Sequence, residues 1–420
     1  MRQNDVIVIG GGLAGLTAAA VAAKGGKKVM LLSLGAGTLT IGGGIIDVLG
    51  YGDGGMPVTT PRAGLLQVAP EHPYKKIGLL AIEESIKFFK EICEAEGYPY
   101  LGNLDEMQWV PTAAGTLKPT CLVPKTMNTA ALKTADNVVV LGFEDLKDFY
   151  PHLISKNFKN IPGFKDKNYE IVMIDPGLAD GRDVTALDVA RWLDTAEGLK
   201  ECIEKMRAVL KPGSVVIIPP VLGTRPDYSV AESLEKALRC TFVETAAVPP
   251  SITGFRLRTM MLSYVKKLGV RLVEQAFVAH SIVEDGRCTA VVTAGIDRER
   301  TYYAKDFILA NGGFYGGGLV AEPGFVIEPI FNLPVAAPGD HEQWANAELF
   351  SNEPQPFAKI GVVVDEKMRP LDGDGKVVLS NVYVAGKNLQ GYDYCFDKSG
   401  NGVALASGYQ AAMSAGGEEK

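Results

Sequence analysis

Apolar and polar positions alternate along the chain with spacings that predict strands and helices in turn. Residues 5–9 form an apolar, β-branched run, residues 16–24 form an alanine-rich segment, and residues 27–32 have the pattern of a second strand, with two lysines before four apolar residues. Gly10, Gly12 and Gly15 lie between the first run and the body of the alanine-rich segment. This order predicts a strand, a tight glycine turn, a helix and a second strand, which together make a βαβ unit.

The three glycines have the GxGxxG spacing that is typical of dinucleotide-binding turns. Gly10 can adopt the tight turn, Gly12 has no side chain to keep a diphosphate off the backbone, and Gly15 lets the helix approach the strand. The helix dipole and the free N–H groups at Leu13 and Ala14 favour an anion. We therefore predict a nucleotide-binding site at this turn.

Ser33 follows the second strand, where an Asp or Glu usually binds the ribose hydroxyls of a dinucleotide. A serine can accept one hydrogen bond but carries no charge. It therefore weakens the case for an adenine-containing dinucleotide and leaves room for a mononucleotide flavin. A second glycine cluster, Gly42, Gly43 and Gly44, allows the backbone to lie flat against a planar ring, although a flexible loop has the same composition.

Three further glycine turns follow predicted strands or open a predicted helix. Their candidate cofactor-binding positions are Ala310, Asn311, Gly312, Gly386, Gly402 and Val403. The first two turns end apolar runs, and loops at the carboxyl ends of parallel strands are where such sheets bind ligands. The third turn opens the last helix, whose free N–H groups and positive dipole would stabilise the negative charge of a reduced flavin. These turns together predict a flavin site.

The middle of the chain alternates regularly between strand and helix patterns, which predicts a second parallel α/β unit inserted into the first. Helices are predicted over residues 145–156 and 186–210, the second broken at Gly198, and a small antiparallel β layer over residues 109–122. The predicted fold is therefore α/β. A discontinuous Rossmann-like flavin-binding domain covers residues 1–135 and 250–420, and residues 136–249 form an inserted α/β cap or docking domain.

Composition excludes several classes of function. The formal net charge of −7 argues against nucleic-acid binding and against adsorption to an anionic membrane. The six cysteines contain no CxxC, so we expect neither an iron–sulfur cluster nor a metal site. No apolar run approaches the ~20 residues needed to span a bilayer, and the start of the chain is not typical of a targeting peptide. We expect a cytoplasmic protein that reaches the membrane only through a partner.

Several segments carry a resemblance to the B-subunit family of anaerobic glycerol-3-phosphate dehydrogenase. They include the Gly42–Gly44 loop and the segments VIVIGGGLAGLTAA, PPSITGFRLR, FILANGGFYGGGLVAEPG, FAKIGVVVDEKMRP and NVYVAGKNLQGYD. PPSITGFRLR and GGLVAE are the more specific segments. The resemblance runs from the first strand to the last helix. More broadly, the chain resembles the flavoproteins of the fumarate reductase and succinate dehydrogenase group.

The resemblance implies a complex of three different subunits that oxidises sn-glycerol 3-phosphate to dihydroxyacetone phosphate and passes electrons to quinone in anaerobic respiration. It implies two partners, which are a related catalytic flavoprotein and an iron–sulfur protein that ties the complex to the inner face of the cell membrane. The B subunit of that family is described as an FMN protein. We therefore predict FMN, with FAD as the alternative because a GxGxxG turn suits a diphosphate.

A phosphorylated substrate requires Arg or Lys side chains, and alcohol oxidation requires a base. Arg256 and Arg258 follow two prolines at a predicted helix start, and Lys387 follows the Gly386 turn. These three residues are the candidate catalytic and anion-binding cations, although a surface ion pair is the ordinary role of each. The four histidines lie in positions typical of structural or solvated residues, so no base is assigned.

Three functional interpretations stay open. The chain is a flavin-holding redox subunit that oxidises the substrate itself or relays electrons from a catalytic sister chain. Alternatively, it is a stand-alone soluble dehydrogenase or a fumarate-reductase-like enzyme. The third interpretation is a non-catalytic assembly subunit with a degenerate nucleotide site, which the missing acid at Ser33 keeps open.

Overall fold

The computed structural model describes residues 4–52, 54–246, 248–295, 298–349 and 353–416. The chain divides into two compact units. The first unit comprises residues 1–38, 47–92 and 261–420, and the second comprises residues 39–46 and 93–260. These bounds differ from the predicted ones, because residues 39–46, 93–135 and 250–260 group with the second unit.

Both units are built from strands and helices. The strands are β1 (Asn4–Ile9), β2 (Val29–Ser33), β3 (Tyr100–Leu101), β4 (Gln108–Pro111), β5 (Leu117–Thr120), β6 (Val123–Pro124), β7 (Asn137–Phe143), β8 (Asn168–Ile174), β9 (Val215–Ile218), β10 (Thr241–Glu244), β11 (Arg271–Glu274), β12 (Phe277–Glu284), β13 (Arg287–Ala294), β14 (Arg300–Leu309), β15 (Val320–Glu322), β16 (Phe325–Ile327) and β17 (Val382–Val384). The helices are α1 (Leu13–Lys24), α2 (Pro61–Gln67), α3 (Pro73–Ile77), α4 (Leu79–Ala95), α5 (Ala130–Thr134), α6 (Pro151–Phe158), α7 (Ala186–Leu193), α8 (Ala196–Arg207), α9 (Ser229–Leu238), α10 (Ile252–Lys267) and α11 (Gly400–Ser414). Within the described residues, none of these helices combines the length and the apolarity that crossing a membrane requires.

The first unit is built on a seven-stranded sheet with the order β11-β2-β1-β14-β13-β12, and β17 also pairs with β14. Strands β11, β2, β1, β14 and β17 are parallel, whereas β12 and β13 form an antiparallel hairpin. Val6, Ile7 and Val8 of β1 are fully buried, as expected for a parallel strand covered on both faces. The predicted βαβ unit is confirmed.

Helices α1 and α11 pack closely in the first unit through small residues. A Cβ atom added to Gly408 of α11 would overlap the carbonyl oxygen of Ala14 in α1. The alanines and glycines of both helices therefore permit a backbone approach that larger side chains would prevent. Helix α11 begins at Gly400, two residues before the predicted start at Gly402.

The second unit contains a four-stranded parallel sheet with the order β10-β9-β7-β8, which confirms the predicted second α/β unit. Strands β4 and β5 form the predicted antiparallel layer. Helix α6 begins only at Pro151 rather than at residue 145. The break in the next helical segment lies before Thr195 rather than at Gly198, because the Thr195 side chain caps α8 by accepting a hydrogen bond from the Gly198 N–H.

A buried ion pair joins α10 to the parallel sheet of the second unit. Arg256 is 1% exposed, and its Nη1 and Nη2 atoms donate to the two carboxylate oxygens of Glu244 at 2.7 and 2.9 Å. Its Nε donates to the Gly223 carbonyl at 2.8 Å. The Leu222 N–H and the Thr126 hydroxyl also donate to the same carboxylate. The prediction that Arg256 binds a substrate anion is therefore wrong, because its guanidinium is already used.

Several interactions together keep this buried pair charged. Burial has the largest single effect on the pKa of Glu244 and raises it, but the charge and hydrogen bonds of Arg256 and the hydrogen bonds from Thr126 and Leu222 together lower it. Burial likewise has the largest single effect on the pKa of Arg256 and lowers it, but the interactions with Glu244 and Tyr98 together raise it. Both groups therefore stay charged at neutral pH.

We expect Gly408→Ala to destabilise the protein. Alanine favours a helix over glycine by about 1 kcal/mol, so without the contact to α1 the substitution would stabilise. The overlap with the Ala14 carbonyl should instead cost about 1–3 kcal/mol and lower the midpoint of thermal unfolding. Met413→Ala, at an exposed position of the same helix, is the control and should change little. A raised midpoint for Gly408→Ala would contradict the close helix contact.

We expect Arg256→Met to lower the free energy of unfolding by about 3–5 kcal/mol, because Glu244 would stay buried without its partner. Glu244→Gln should cost a similar amount, and the double variant should cost less than the sum of the two. Denaturant unfolding of the purified variants measures these values. Arg182→Met, which breaks the exposed pair with Asp188, is the control and should change the free energy of unfolding little, because solvent screens that pair. Strictly additive costs would show that the two buried groups do not depend on each other.

Candidate functional site

Gly10 lies where β1, β2 and β14 of the first sheet meet helix α1. Its N–H donates to the Leu32 carbonyl at 2.8 Å, and its φ is 116°, a conformation that favours glycine. A Cβ atom at Gly10 would overlap the carbonyl oxygen of Ala310, and one at Gly15 would overlap the carbonyl oxygen of Gly10. The tight turn and the close helix approach predicted for these two glycines are therefore present.

Helix α1 begins without a capping side chain. Its N-cap is Gly12, no side chain accepts a hydrogen bond there, and the first turn carries no acid. A Cβ atom added to Gly12 would have no neighbour within 4 Å, so open space lies beside this helix start. The uncapped amides of Leu13 and Ala14, together with this space, fit a phosphate group.

Ser33 is 4% exposed at the end of β2. Its hydroxyl donates to the Gly35 carbonyl at 2.7 Å, which uses its one proton. The oxygen can therefore still accept a hydrogen bond from a ribose hydroxyl but cannot donate one. Ser33 also lies against Gly11, where a Cβ atom would overlap its Oγ.

The turns after β14 and β17 lie beside the α1 turn. The Ala310 N–H donates to the Ile9 carbonyl at 2.8 Å, and the Gly386 N–H donates to Ser407 Oγ at 2.9 Å. A Cβ atom at Gly386 would lie 3.1 Å from the Cβ of Ala14. The structure thus brings together one surface, which we call the glycine cradle and define as Gly10–Ala14, Ala310–Gly312 and Gly386.

Gly402 and Val403 do not offer free amides to a ligand. The Gly402 N–H donates to the Asp47 carbonyl at 2.8 Å, and the Val403 N–H donates to the Ser399 carbonyl at 2.9 Å. A Cβ atom at Gly402 would also overlap the hydroxyl of Tyr74. The prediction of free N–H groups at these two positions is wrong, because the protein itself uses both.

The loop Gly42–Gly44 belongs to the second unit, where it packs against the start of α10. Thr253 Oγ1 donates to the Gly43 carbonyl at 2.8 Å, and the Tyr100 hydroxyl donates to the Gly44 carbonyl at 2.6 Å. A Cβ atom at Gly44 would overlap the backbone of Thr253. Side-chain hydrogen bonds therefore hold this loop in place, and its contact with a flavin ring stays a prediction.

Lys387 differs from the other two predicted cations. Arg256 is paired with Glu244, and Arg258 is half-buried in α10. Lys387 has no acidic partner among the described residues, and its Nζ lies 4.1 Å from the ring centre of Tyr394. Burial lowers the pKa of Lys387. It directly follows Gly386, a residue of the glycine cradle, so Lys387 stays a predicted anion-binding residue, as does Arg258.

His72 is buried and makes local contacts. Its Nδ1 accepts a hydrogen bond from the Tyr74 N–H at 3.2 Å, and its ring stacks on that of Tyr74. Burial lowers its pKa to about 3, and Lys359 and Lys75 add to the shift. His72 is therefore neutral at physiological pH, which agrees with a structural role.

Two residues beside the cradle have contacts that the sequence did not reveal. Asn388 is fully buried, and its Nδ2 donates to Asn311 Oδ1 at 2.9 Å, which joins the turn after β17 to the turn after β14. Ser407, also fully buried, fixes the Gly386 amide from inside α11. A polar residue within an apolar, small-residue helix was the only available signal for Ser407, and Asn388 had none beyond its place after Lys387.

Comparison with known proteins identifies the family. The family model described as FAD binding domain matches residues 5–403. The B subunit of anaerobic glycerol-3-phosphate dehydrogenase from Vibrio cholerae is 30% identical over 422 residues, covering 98% of this chain and 96% of that protein. The protein of the same name from Vibrio vulnificus is 31% identical over 430 residues, covering 99% of this chain and 97% of that protein.

Among solved structures, the chain is similar to 3-ketosteroid delta1-dehydrogenase from Sterolibacterium denitrificans. That structure is 13% identical, covers 98% of this chain and 99% of its own, and superposes with a TM-score of 0.45. A similarity this low carries no argument about function.

The family assignment confirms the predicted flavin-binding α/β fold. It supports FAD, the alternative cofactor above, and gives no support to FMN. The open space and the uncapped amides at the start of α1 fit the phosphates of such a cofactor. The chain belongs to the flavoproteins with an FAD binding domain and, within them, to the B-subunit family of anaerobic glycerol-3-phosphate dehydrogenase.

Proposed function

We propose that this chain is an FAD-holding subunit of an anaerobic glycerol-3-phosphate dehydrogenase. The complex oxidises sn-glycerol 3-phosphate to dihydroxyacetone phosphate, with quinone as the final electron acceptor. The observation that carries the proposal is the glycine cradle, found in a chain with near full-length similarity to the B subunit of that enzyme.

The residues of the first unit have distinct roles in this proposal. The amides of Leu13 and Ala14 bind the cofactor phosphates, and Gly12 leaves them the space to do so. Ser33 accepts a hydrogen bond from the ribose. Ala310 to Gly312 and Gly386 supply backbone walls without bulky side chains. Flavin, when bound, would supply the acceptor for the hydride that an alcohol loses from its carbon.

FAD suits this turn better than FMN for a chemical reason. The start of α1 offers the uncapped amides of Leu13 and Ala14 directly after a GxGxxG turn, and such turns are typical of diphosphate binding. FMN carries a single phosphate and lacks the adenosine ribose of FAD. It would therefore leave the hydrogen-bond acceptor at Ser33 unused. Ser33 itself is weaker than a carboxylate at this position, but it retains the capacity to accept.

The proposal includes two partners of the chain. The six cysteines show no cluster spacing, so single electrons must leave through another protein. We assign that role to an iron–sulfur partner on the inner face of the membrane, and we assign a second flavoprotein role to a related catalytic partner. Within such a complex, this chain either oxidises the substrate at its own flavin or relays electrons between these partners.

Denaturation of the purified chain followed by chromatography tests the cofactor, and we expect FAD in the supernatant. Released FMN would contradict the assignment, and a colourless folded protein would contradict both flavin-based functions. An assay of the isolated chain with sn-glycerol 3-phosphate and an artificial electron acceptor separates the two redox roles. Turnover supports oxidation at this chain, whereas full FAD content without turnover supports the relay.

We expect Gly12→Val to abolish flavin binding without unfolding the protein. A valine side chain would fill the space beside the α1 amides, but it would meet no protein atom there. Absorbance of the purified variant measures flavin content. Thermal unfolding, compared with wild-type protein stripped of flavin, measures the fold. Gly373→Val, at an exposed glycine that also has no neighbour, should keep its flavin. Normal flavin content in Gly12→Val would show that the ligand binds at another turn.

A further inference from the structure

Lys387 borders the glycine cradle on the side of the turn after β14. Its backbone follows Gly386 directly, and a Cβ atom at Gly313 would lie 2.7 Å from the Lys387 carbonyl oxygen and 3.6 Å from the Lys387 Cβ. The lysine is therefore held between two turns that end parallel strands of the first sheet. Ligands of such sheets bind at this end.

The ammonium of Lys387 is partly buried and has no counter-ion among the described residues. Its side chain contacts the face of Tyr394, where Nζ lies 4.1 Å from the ring centre. An aromatic face stabilises a cation only weakly, so it offsets only part of the cost of removing the charge from water. The lowered pKa of Lys387 reflects that remaining cost. An anion bound here would relieve it.

Two tyrosine hydroxyls of this region have no hydrogen-bond partner within the described part of the chain. Tyr394, whose ring faces the ammonium, is half-buried. Burial raises the pKa of its hydroxyl, and Cys395 and Tyr315 contribute to the same shift. Tyr315 itself is 71% exposed in the turn after β14. The Tyr394 hydroxyl therefore remains a protonated donor near neutral pH.

Lys398, which lies between the turn after β17 and helix α11, differs from Lys387 in having a hydrogen-bond partner within the protein. Lys398 donates to the carbonyl oxygen of Cys395 within its own turn. Its ammonium is thus partly satisfied by the protein, whereas that of Lys387 is not.

We propose that Lys387, Tyr394 and Tyr315 bind the phosphate group of the substrate. This inference rests on the proposed function, because it places the substrate at the flavin of this chain. A phosphate monoester has three terminal oxygens that accept hydrogen bonds, and the three residues offer donors, of which the Lys387 ammonium has no carboxylate partner among the described residues. The glycerol carbons of the substrate would then extend toward the glycine cradle.

The test is a binding titration of the flavin-loaded chain without any electron acceptor, by calorimetry. The probes are sn-glycerol 3-phosphate, inorganic phosphate and glycerol. Wild-type protein should bind the two phosphates and not glycerol. Lys387→Met should weaken binding of both phosphates by about tenfold or more, the range for a lost charge-assisted hydrogen bond. Tyr394→Phe should weaken phosphate binding by a smaller factor, and Lys387→Arg should retain part of the wild-type phosphate affinity.

Controls separate this proposal from its alternatives. Lys359→Met, at an exposed lysine of the same unit, should bind both phosphates like the wild type. Flavin content and thermal unfolding of each variant report on the cofactor and the fold. Loss of flavin from Lys387→Met would overturn the proposal, because the lysine would then serve the cofactor. Unchanged phosphate affinity in Lys387→Met would also overturn it, as would the absence of phosphate binding to wild-type protein that carries flavin. Wild-type protein without flavin would instead contradict the proposed function itself.

Discussion

The close contact between the end of β1, the end of β14 and the first turn of α1 determines how the first unit is built. At this point Gly10 lies against the Ala310 carbonyl, and Gly15 lies against the Gly10 carbonyl. Two parallel strands and a helix can converge so closely only where side chains are missing. The same convergence leaves the α1 amides uncapped and open, so the packing constraint and the phosphate-binding surface have one origin.

The small residues of α1 and α11 extend this constraint through the unit. Ala14 contributes its carbonyl to the contact with Gly408 and its Cβ to the contact with Gly386. The position of α11 is therefore linked to the position of the turn after β17, and Ser407 strengthens the link by binding the Gly386 amide. A substitution in α11 that shifts this helix should consequently also shift the backbone of the glycine cradle, although the two are far apart in sequence.

Arg256 and Lys387 show that burial together with the presence or absence of an ion-pair partner distinguishes a structural cation from a candidate for ligand binding. Arg256 has a bidentate partner of opposite charge and two further neighbours that complete the network. Such a pair gains little from a ligand, because breaking it would leave Glu244 buried and uncompensated. Lys387 lies against an aromatic face, so it retains the capacity to gain from an anion. Sequence position alone made both residues candidates and placed Arg256 before Lys387.

Much of the fold could be predicted from local patterns, and the missing parts have a common physical cause. The apolar runs of β1 and β2 and the glycine spacing between them predict the βαβ unit, because burial and turn geometry act over neighbouring residues. The alternation in the second unit predicts its parallel sheet for the same reason. The pairing of Arg256 with Glu244 and the use of the Gly402 amide by Asp47 depend on contacts between distant segments. The spacing of apolar residues along a short segment carries no information about such contacts.

Ser33 determines how the cradle must hold its cofactor. A carboxylate at this position would form charge-assisted hydrogen bonds with a ribose, worth about 1.5–3 kcal/mol, whereas a neutral acceptor gives about 0.5–1.5 kcal/mol. The Ser33 hydroxyl has already committed its proton to Gly35, so it cannot add a donor in compensation. More of the binding free energy must therefore come from the phosphate contacts at the start of α1. Under the proposed function, this is how the chain can keep an FAD-type turn without the ribose-binding acid, and why we expect Gly12, beside those amides, to be a sensitive position.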